Sequence, residues 1–330
     1  MGDLGQVSLY LVTGAMTAYL IAMIAFTIDL TRKAKVAPSR ARVAVASNGE
    51  APVDEVIADE VVADATADSG TASESVDNVV APGRRKAAGI GMATFTAGTA
   101  LLLIGIVTRG LAAGRVPWAN MYEFTLMAVF IASAVFLGLQ RKRDVRYLGT
   151  FIGLFAVLAL FLALAALYID PDPVQPALQS YWLVIHVSVA TAAMGVLAVA
   201  AVTSSLQLAK DRAISRGTVG RVLGSLPSVD DLERLAFRIN AVGFVLWTFT
   251  LIAGAIWAEH AWGRFWGWDA KEVWTFVVWV IYAAYLHARS TRGWEGRRAA
   301  WFSVAGFVSI LVNYYVVNLF FSSLHSYSGV

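Results

Sequence analysis

Residues 148–168 read LGTFIGLFAVLALFLALAALY, an uncharged run whose only side-chain hydroxyls are those of Thr150 and Tyr168. At 1.5 Å of rise per residue, about 20 such residues carry a helix across the hydrocarbon of a bilayer. Strands would have to close into a barrel, and their signature, runs of roughly ten residues alternating apolar and polar, is absent. Working outward, similar runs recur at about 8–30, 88–108, 121–139, 181–207, 237–257, 272–289 and 300–321. They predict an all-α polytopic membrane protein with about eight transmembrane helices. The composition agrees, with 58% hydrophobic residues, 15% charged residues and a mean hydropathy of +0.63, above the range of soluble domains.

An even number of spans puts both termini on one side. Basic residues follow the first run (Arg32, Lys33, Lys35), the third (Arg141, Lys142, Arg143, Arg146), the fifth (Lys210, Arg212, Arg216, Arg221) and the seventh (Arg289, Arg292, Arg297, Arg298). The positive-inside rule makes those segments cytoplasmic and both termini external, although Arg109 and Arg115 weaken the pattern at the first external loop. The first run lacks a basic n-region and a small-residue cleavage pattern, so residues 1–35 are expected to hold a retained helix. Residues 36–87 contain no aromatic residue and are rich in Ala, Val, Ser, Asp and Glu. Such a composition buries little surface and predicts a disordered acidic cytoplasmic linker, leaving 88–330 as a seven-helix membrane domain. No internal repeat is evident. The net charge of +3 is small and gives no indication of nucleic-acid binding. Without a cysteine the chain offers no disulfide, thiol ligand or thiol nucleophile.

Residues 257–274, expected as an external loop with its margins, read WAEHAWGRFWGWDAKEVW. They hold five of the eleven tryptophans: Trp257, Trp262, Trp266, Trp268 and Trp274. An interfacial aromatic belt accounts for one or two rings at each span end, not for five at one. Gly263 and Gly267 permit irregular turns, so the rings can form a flat apolar shelf for a planar ligand. A packing cluster and a protein-docking surface remain as alternatives. Asp269, Lys271 and Glu272 bring charge to the edge of the shelf, to pair among themselves, hold the loop to a helix end or meet a polar edge of the ligand.

WGRFWGWD followed by AKE (262–272) resembles the WWD signature of haem-handling proteins, specifically the CcsA/ResC type of cytochrome c biogenesis protein, called CcsB in some bacteria. NMYEF (120–124), YWLVIH (181–186), YLHAR (285–289) and LHSY (324–327) extend the resemblance, in the expected order, over roughly 88–330. Two positions depart from the family pattern: Ala270 stands where the family usually has proline, and His260 matches no family histidine.

Only four histidines occur. The topology puts His186 just inside the outer end of the fifth span, His260 in the Trp-rich segment and His325 just past the eighth span. A lone histidine in a membrane helix is more often a hydrogen-bonded core residue than a ligand, but ionisable groups there raise the prior for function. His186 and His325 come from different helices and reach the same face, flanking the aromatic segment, as two axial haem ligands would. His287 lies roughly 20 Å deeper, near the cytoplasmic end of the seventh span. His260 reads as a polar loop residue, with a pH-sensitive neighbour of the shelf as its alternative.

The resemblance implies the same assignments. His186 and His325 become the external haem-iron ligands, and His287 one ligand of an intramembrane haem whose second histidine comes from a partner. Trp262, Trp266, Trp268 and Asp269 become the haem-binding loop, with Asn120, Tyr122, Glu123, Trp257 and Trp274 in support; no residue is assigned a catalytic role. The implied function is that of the haem-handling subunit of a system II cytochrome c synthase, carrying haem b to the outer face of the bacterial cytoplasmic membrane. There haem is presented to the C-x-x-C-H segment of apocytochrome c for thioether attachment. Synthase activity is expected only in complex with a Ccs1/ResB-type membrane subunit, with thiol-reducing proteins acting indirectly. A haem exporter without attachment chemistry and a structural scaffold are the alternatives.

Overall fold

A computed structural model describes residues 2–47, 82–171, 180–291, 293–321 and 323–325. All regular structure among them is helical. Helices α1 (Gly2–Ser47), α2 (Pro82–Ala113), α3 (Met121–Lys142), α4 (Arg146–Ala166) and α5 (Tyr181–Ser215) are followed by a single turn, α6 (Arg221–Gly224). Then come α7 (Val229–Trp262), α8 (Ala270–Ser290) and α9 (Arg297–Leu311), the last continuing through a π-helical turn (Val312–Val316) into α10 (Val317–Phe320).

Seven helices are long and apolar enough to cross a membrane: Leu4–Arg32, Lys86–Ala113, Met121–Lys142, Arg146–Ala166, Tyr181–Ser215, Val229–Trp262 and Arg297–Phe320. The remaining expected run forms α8, a helix of 21 residues whose ends carry Lys271, Glu272, His287 and Arg289, which lower its hydropathy. The chain is thus an all-α, multi-pass membrane protein. α1 extends to Ser47 and α2 begins at Pro82, so both helices run into the segment expected as linker, where Ala and Arg are good helix formers. The rest of that segment, residues 48–81, lies outside the described residues, as do Ser326 and Tyr327 of the LHSY motif.

α1 packs along α2 and α4, and α5 lies between α7, α3 and α9. Lipid is as apolar as leucine, so packing in a membrane depends on close fit more than on expulsion of water. Gly195 of α5 illustrates this: a Cβ there would come within 2.8 Å of the Ala128 carbonyl oxygen of α3 and 2.7 Å of Ile131 Cβ. On α4, Leu154, Leu158 and Phe161 point away from the bundle, a face suited to lipid. Inside, Phe26 and Phe95 both meet Phe136 edge to face, and Tyr19 packs edge to face on Phe95. This packing places the N-termini of α3, α5 and α8, the C-terminus of α7 and the π-helical turn around one cavity.

Candidate functional site: a two-histidine cavity at one end of the bundle

The segment expected as a loop over 257–274 is mostly helix. α7 continues through Trp262, α8 begins at Ala270, and only 263–269 is irregular. Gly263 ends α7 in the left-handed region (φ 69°), its N–H donating to the Glu259 carbonyl at 2.8 Å. Asp269 caps α8, accepting from the Lys271 N–H at 3.3 Å, while Glu272 reaches back to the Asp269 N–H at 3.1 Å in a capping box. Glu272 also accepts from the Gly267 N–H (2.7 Å) and from Arg264 (3.0 Å), whose guanidinium lies over Trp262. One carboxylate therefore organises the whole turn. Within it Trp268 adopts φ 58°, a left-handed conformation that a bulky residue holds only when its surroundings impose it.

His186 stands in the second turn of α5 and is held by a stripe of α7. Its Nδ1 lies 3.1 Å from the Thr250 carbonyl oxygen. One turn on, Gly254 leaves room for the ring; one further turn on, Trp257 stacks on it at 5.9 Å with 5° between planes. Positions 250, 254 and 257 share a helix face. A carbonyl only accepts, so Nδ1 carries the proton and the ring's lone pair is at Nε2. A Cβ at Gly254 would sit 2.7 Å from His186 Cε1. Gly254→Ala is therefore expected to destabilise the fold by about 1–3 kcal/mol through overpacking, read as a lower unfolding midpoint in detergent. An unchanged midpoint would show that the ring has space to move.

His325 follows the last helix and is tied back to the turn. Its Nδ1 donates to Asp269 Oδ2 at 3.1 Å, and the Leu324 N–H donates to Asp269 Oδ1 at 3.1 Å. Burial pushes the imidazole's pKa down more than the Asp269 hydrogen bond raises it, so it is held neutral. Burial also acts to raise the Asp269 carboxyl, but the bonds from His325 and from the Leu324 and Lys271 N–H groups outweigh it and hold the group below the usual carboxylate range. An ionised Asp269 facing a neutral ring again assigns the proton to Nδ1 and the lone pair to Nε2, the arrangement found behind metal-binding histidines.

The two imidazoles share a neighbour: Trp257, buried, lies 5.8 Å from His325 as well as 5.9 Å from His186, and Trp262 packs edge to face on both Trp257 (4.8 Å) and His325 (5.1 Å). Both histidines line one cavity of about 430 Å³, together with Trp262, Trp266, Asn120 and Lys271. That volume falls within the range of small-molecule sites.

Among the tryptophans expected to form the shelf, Trp262 and Trp266 line the cavity. Trp257 supports both histidines from behind, and Trp268, 76% exposed, packs on Trp266 without lining the cavity. Trp274 is in α8 and also lies off the lining. Asp269 acts through His325. In NMYEF, Asn120 lines the cavity and caps α3, accepting from the Glu123 N–H at 2.9 Å, whereas Tyr122 and Glu123 are buried beside it. Glu123 accepts from Arg109 Nε (2.9 Å), Arg115 (2.6 Å) and the Ala119 N–H (3.0 Å). Arg109 is thus no loop charge but a buried ion-pair partner under Tyr122 and Tyr168. His287 is exposed near the end of α8, away from the cavity. His260 is in α7 rather than in a loop and bonds the Ile256 carbonyl one turn back.

Lys271, expected as a charge at the edge of the shelf, lines the cavity, and so do Asn313, Tyr314 and Asn318, which were not singled out from the sequence. Lys271 donates to the Asn313 carbonyl (3.0 Å) and Asn318 Oδ1 (2.6 Å), contacts made across the π-helical turn. Tyr314, in that turn, bonds the Met121 carbonyl and Thr125 of α3 and stacks on Phe124. Asn313 and Asn318 inside an apolar run were the legible signal, because amides in a membrane helix need partners.

A family model described as Cytochrome C assembly protein matches residues 118–325, the stretch that contains all of the cavity's lining residues except Arg115. The cytochrome c biogenesis protein CcsA of Prochlorococcus marinus strain MIT 9515 is 35% identical over 258 residues, covering 69% of this chain and 80% of its own length. CcsA of P. marinus strain MIT 9303 is 36% identical over 255 residues, and CcsA of Synechococcus sp. strain CC9311 is 35% identical over 268, covering 72% of this chain and 88% of its own. With the match spanning most of both sequences and centred on the two-histidine cavity, the chain belongs to the cytochrome c assembly family, as a CcsA-type protein with a haem-handling role in cytochrome c biogenesis.

Proposed function

We propose that the cavity holds haem b through His186 and His325, at the outer face of a bacterial cytoplasmic membrane, and presents it for covalent attachment to apocytochrome c. The observation that carries this reading is that both imidazoles line one aromatic cavity, each with Nδ1 bonded to an acceptor, so that each has its lone pair at Nε2. In the attachment step each thiol of a C-x-x-C-H segment adds across a haem vinyl group. A carbon–sulfur bond forms, the thiol hydrogen ends on the neighbouring vinyl carbon, and no external oxidant is consumed. The chain contributes position: a macrocycle fixed by its iron and its faces keeps its vinyl carbons within reach of the incoming thiols. The acceptor's own histidine then replaces one of the two axial ligands, and release follows.

A Ccs1/ResB-type membrane subunit completes the synthase. His287, exposed in α8, suits one half of an intramembrane haem site whose other ligand comes from that partner. Lacking cysteine, the chain leaves reduction of the acceptor's thiols to other proteins. Residues 36–87 serve as a cytoplasmic tether between the first helix and the haem-handling domain. Co-expression of the chain with its partner and an apocytochrome is expected to yield haem that stays with the acceptor under denaturing electrophoresis. Haem bound to the complex but never attached to the acceptor would replace this reading with that of an exporter.

A further inference from the structure

The YLHAR motif leaves Tyr285 and Arg289 without a role once His287 is assigned. On α8 these two residues are four apart and share a face, while His287 is turned about 200° from each of them. Burial follows the same division. Val278, Tyr282 and Tyr285 are buried, whereas Phe276, Val280 and His287 are exposed along the opposite side of the helix.

Both motif residues are tied to α7. Arg289 Nε lies 2.8 Å from Glu233 Oε1, and the guanidinium lies over the ring of Phe237, 5.5 Å from its centroid. The Tyr285 hydroxyl meets the Asn240 side chain. Glu233, Phe237 and Asn240 follow at intervals of four and three residues, so they line one face of α7. These anchors are themselves fixed. Glu233 accepts from the Gly296 N–H at the start of α9 (3.0 Å), and Asn240 donates to Ser303 Oγ of α9 (2.9 Å), which also accepts from Ser204 of α5 (3.0 Å). One turn back along α8, the Tyr282 ring lies against Gly306 of α9, where a Cβ would come within 2.8 Å of it.

Lipid is as apolar as the side chains it meets, so an apolar helix turns about its own axis in a membrane at little cost. The contacts of Tyr285 and Arg289 remove that freedom, because rotation of α8 would pull a largely buried ion pair apart. Among the described residues His287 is hydrogen-bonded only through its backbone carbonyl, to Ser290 and Thr291, so the helix alone sets where its ring points.

We propose that Arg289 and Tyr285 are positioning residues for His287: with Glu233 and Asn240 they lock the rotation of α8, so that the imidazole projects from the bundle as a ligand for a haem shared with a second chain. This deepens the reading of His287 as half of an intramembrane site and rests on it.

Rotation can be read without haem because the chain contains no cysteine. His287→Cys and Ala288→Cys each place a single thiol in the full chain, one on the exposed side of α8 and one at a buried position. In detergent, a maleimide is expected to label position 287 at least about 10-fold faster than position 288, since thiol reactivity follows access. Adding Glu233→Leu/Arg289→Met, which exchanges the ion pair for apolar groups, is expected to bring the two rates within about 3-fold of each other. Haem supplies the second readout, in the complex with the partner subunit carrying His186→Gly/His325→Gly to silence the cavity. There the Glu233→Leu/Arg289→Met pair is expected to lower retained low-spin haem about 10-fold, the lower end of the range for groups that orient a metal-binding histidine, and Arg289→Lys alone to keep most of it. An unchanged labelling contrast would overturn the lock. Haem lost in His287→Ala but retained in the pair variant would overturn the positioning role and leave the half-site standing, whereas haem unchanged in both would overturn both. Where the pair variant does not accumulate, Tyr285→Phe, which removes one hydroxyl, decides: a reduced labelling contrast supports the lock and an unchanged one overturns it.

Discussion

The His186→Gly/His325→Gly double variant is expected to lose the low-spin haem spectrum of the purified complex, with retained haem falling more than about 100-fold. Removing a residue behind a metal-binding histidine costs about 10–100-fold in metal affinity, and removing both ligands must cost more. Trp257, Trp262 and Trp266 remain and still offer aromatic surface, so the loss isolates the contribution of the iron. Glycine leaves space at both positions, and added imidazole is expected to return much of the low-spin signal. His260→Ala supplies the control, since His260 is exposed, lies off the cavity lining and, among the described residues, bonds the Ile256 carbonyl and Glu259 and packs on Trp182. A double variant with the wild-type spectrum would remove axial ligation from this cavity and leave the aromatic residues with a packing role. Asp269→Ala should fall between wild type and the double variant, because His325 survives but loses the carboxylate that orients it.

The bundle was legible in the sequence because a membrane imposes one rule on every span: each must satisfy its own backbone and be apolar over about 20 residues. The run at 148–168 needs no context to be read. α8 needed more, since Lys271, Glu272, His287 and Arg289 dilute its apolar face and its helix shows in the Asp269–Glu272 capping box as much as in its hydropathy. The convergence of His186 and His325 followed from counting spans, which places residues at one end of a bundle without placing them in contact. What brings the rings to one cavity is Trp257, read from the sequence as part of the shelf and found buried against both. The role of Gly254 depends on how closely α5 meets α7, which no local pattern encodes. The π-helical turn that lets Lys271 reach Asn313 and Asn318 has no sequence signature of its own. Arg109 and Arg115 stood against the charge pattern for a related reason: a charge rule for loops cannot see that both arginines turn back onto one buried carboxylate.

Glu123 is where the largest loss of stability is expected. Its carboxylate is fully buried in the first turn of α3, and it holds Arg109 from α2, Arg115 from the α2–α3 connection and the Ala119 N–H. Removing that carboxylate leaves the buried Arg109 guanidinium, which among the described residues keeps the Ile169 carbonyl at 2.7 Å and the faces of Tyr122 and Tyr168. Breaking one side of a buried ion pair costs about 3–5 kcal/mol, because the stranded charge must be desolvated without compensation. Glu123→Ala is therefore expected to lower the unfolding midpoint sharply or to prevent accumulation of folded protein. Glu123→Gln, similar in shape but neutral and turning amide donors toward guanidinium donors, is expected to recover little. The Arg109→Met/Glu123→Leu double variant separates charge from volume, since replacing a buried pair by apolar groups of similar size is often tolerated where breaking it is not. It should be more stable than Glu123→Ala. A Glu123→Gln protein within about 0.5 kcal/mol of wild type would show that the buried charge is dispensable, placing it among ordinary surface substitutions in effect.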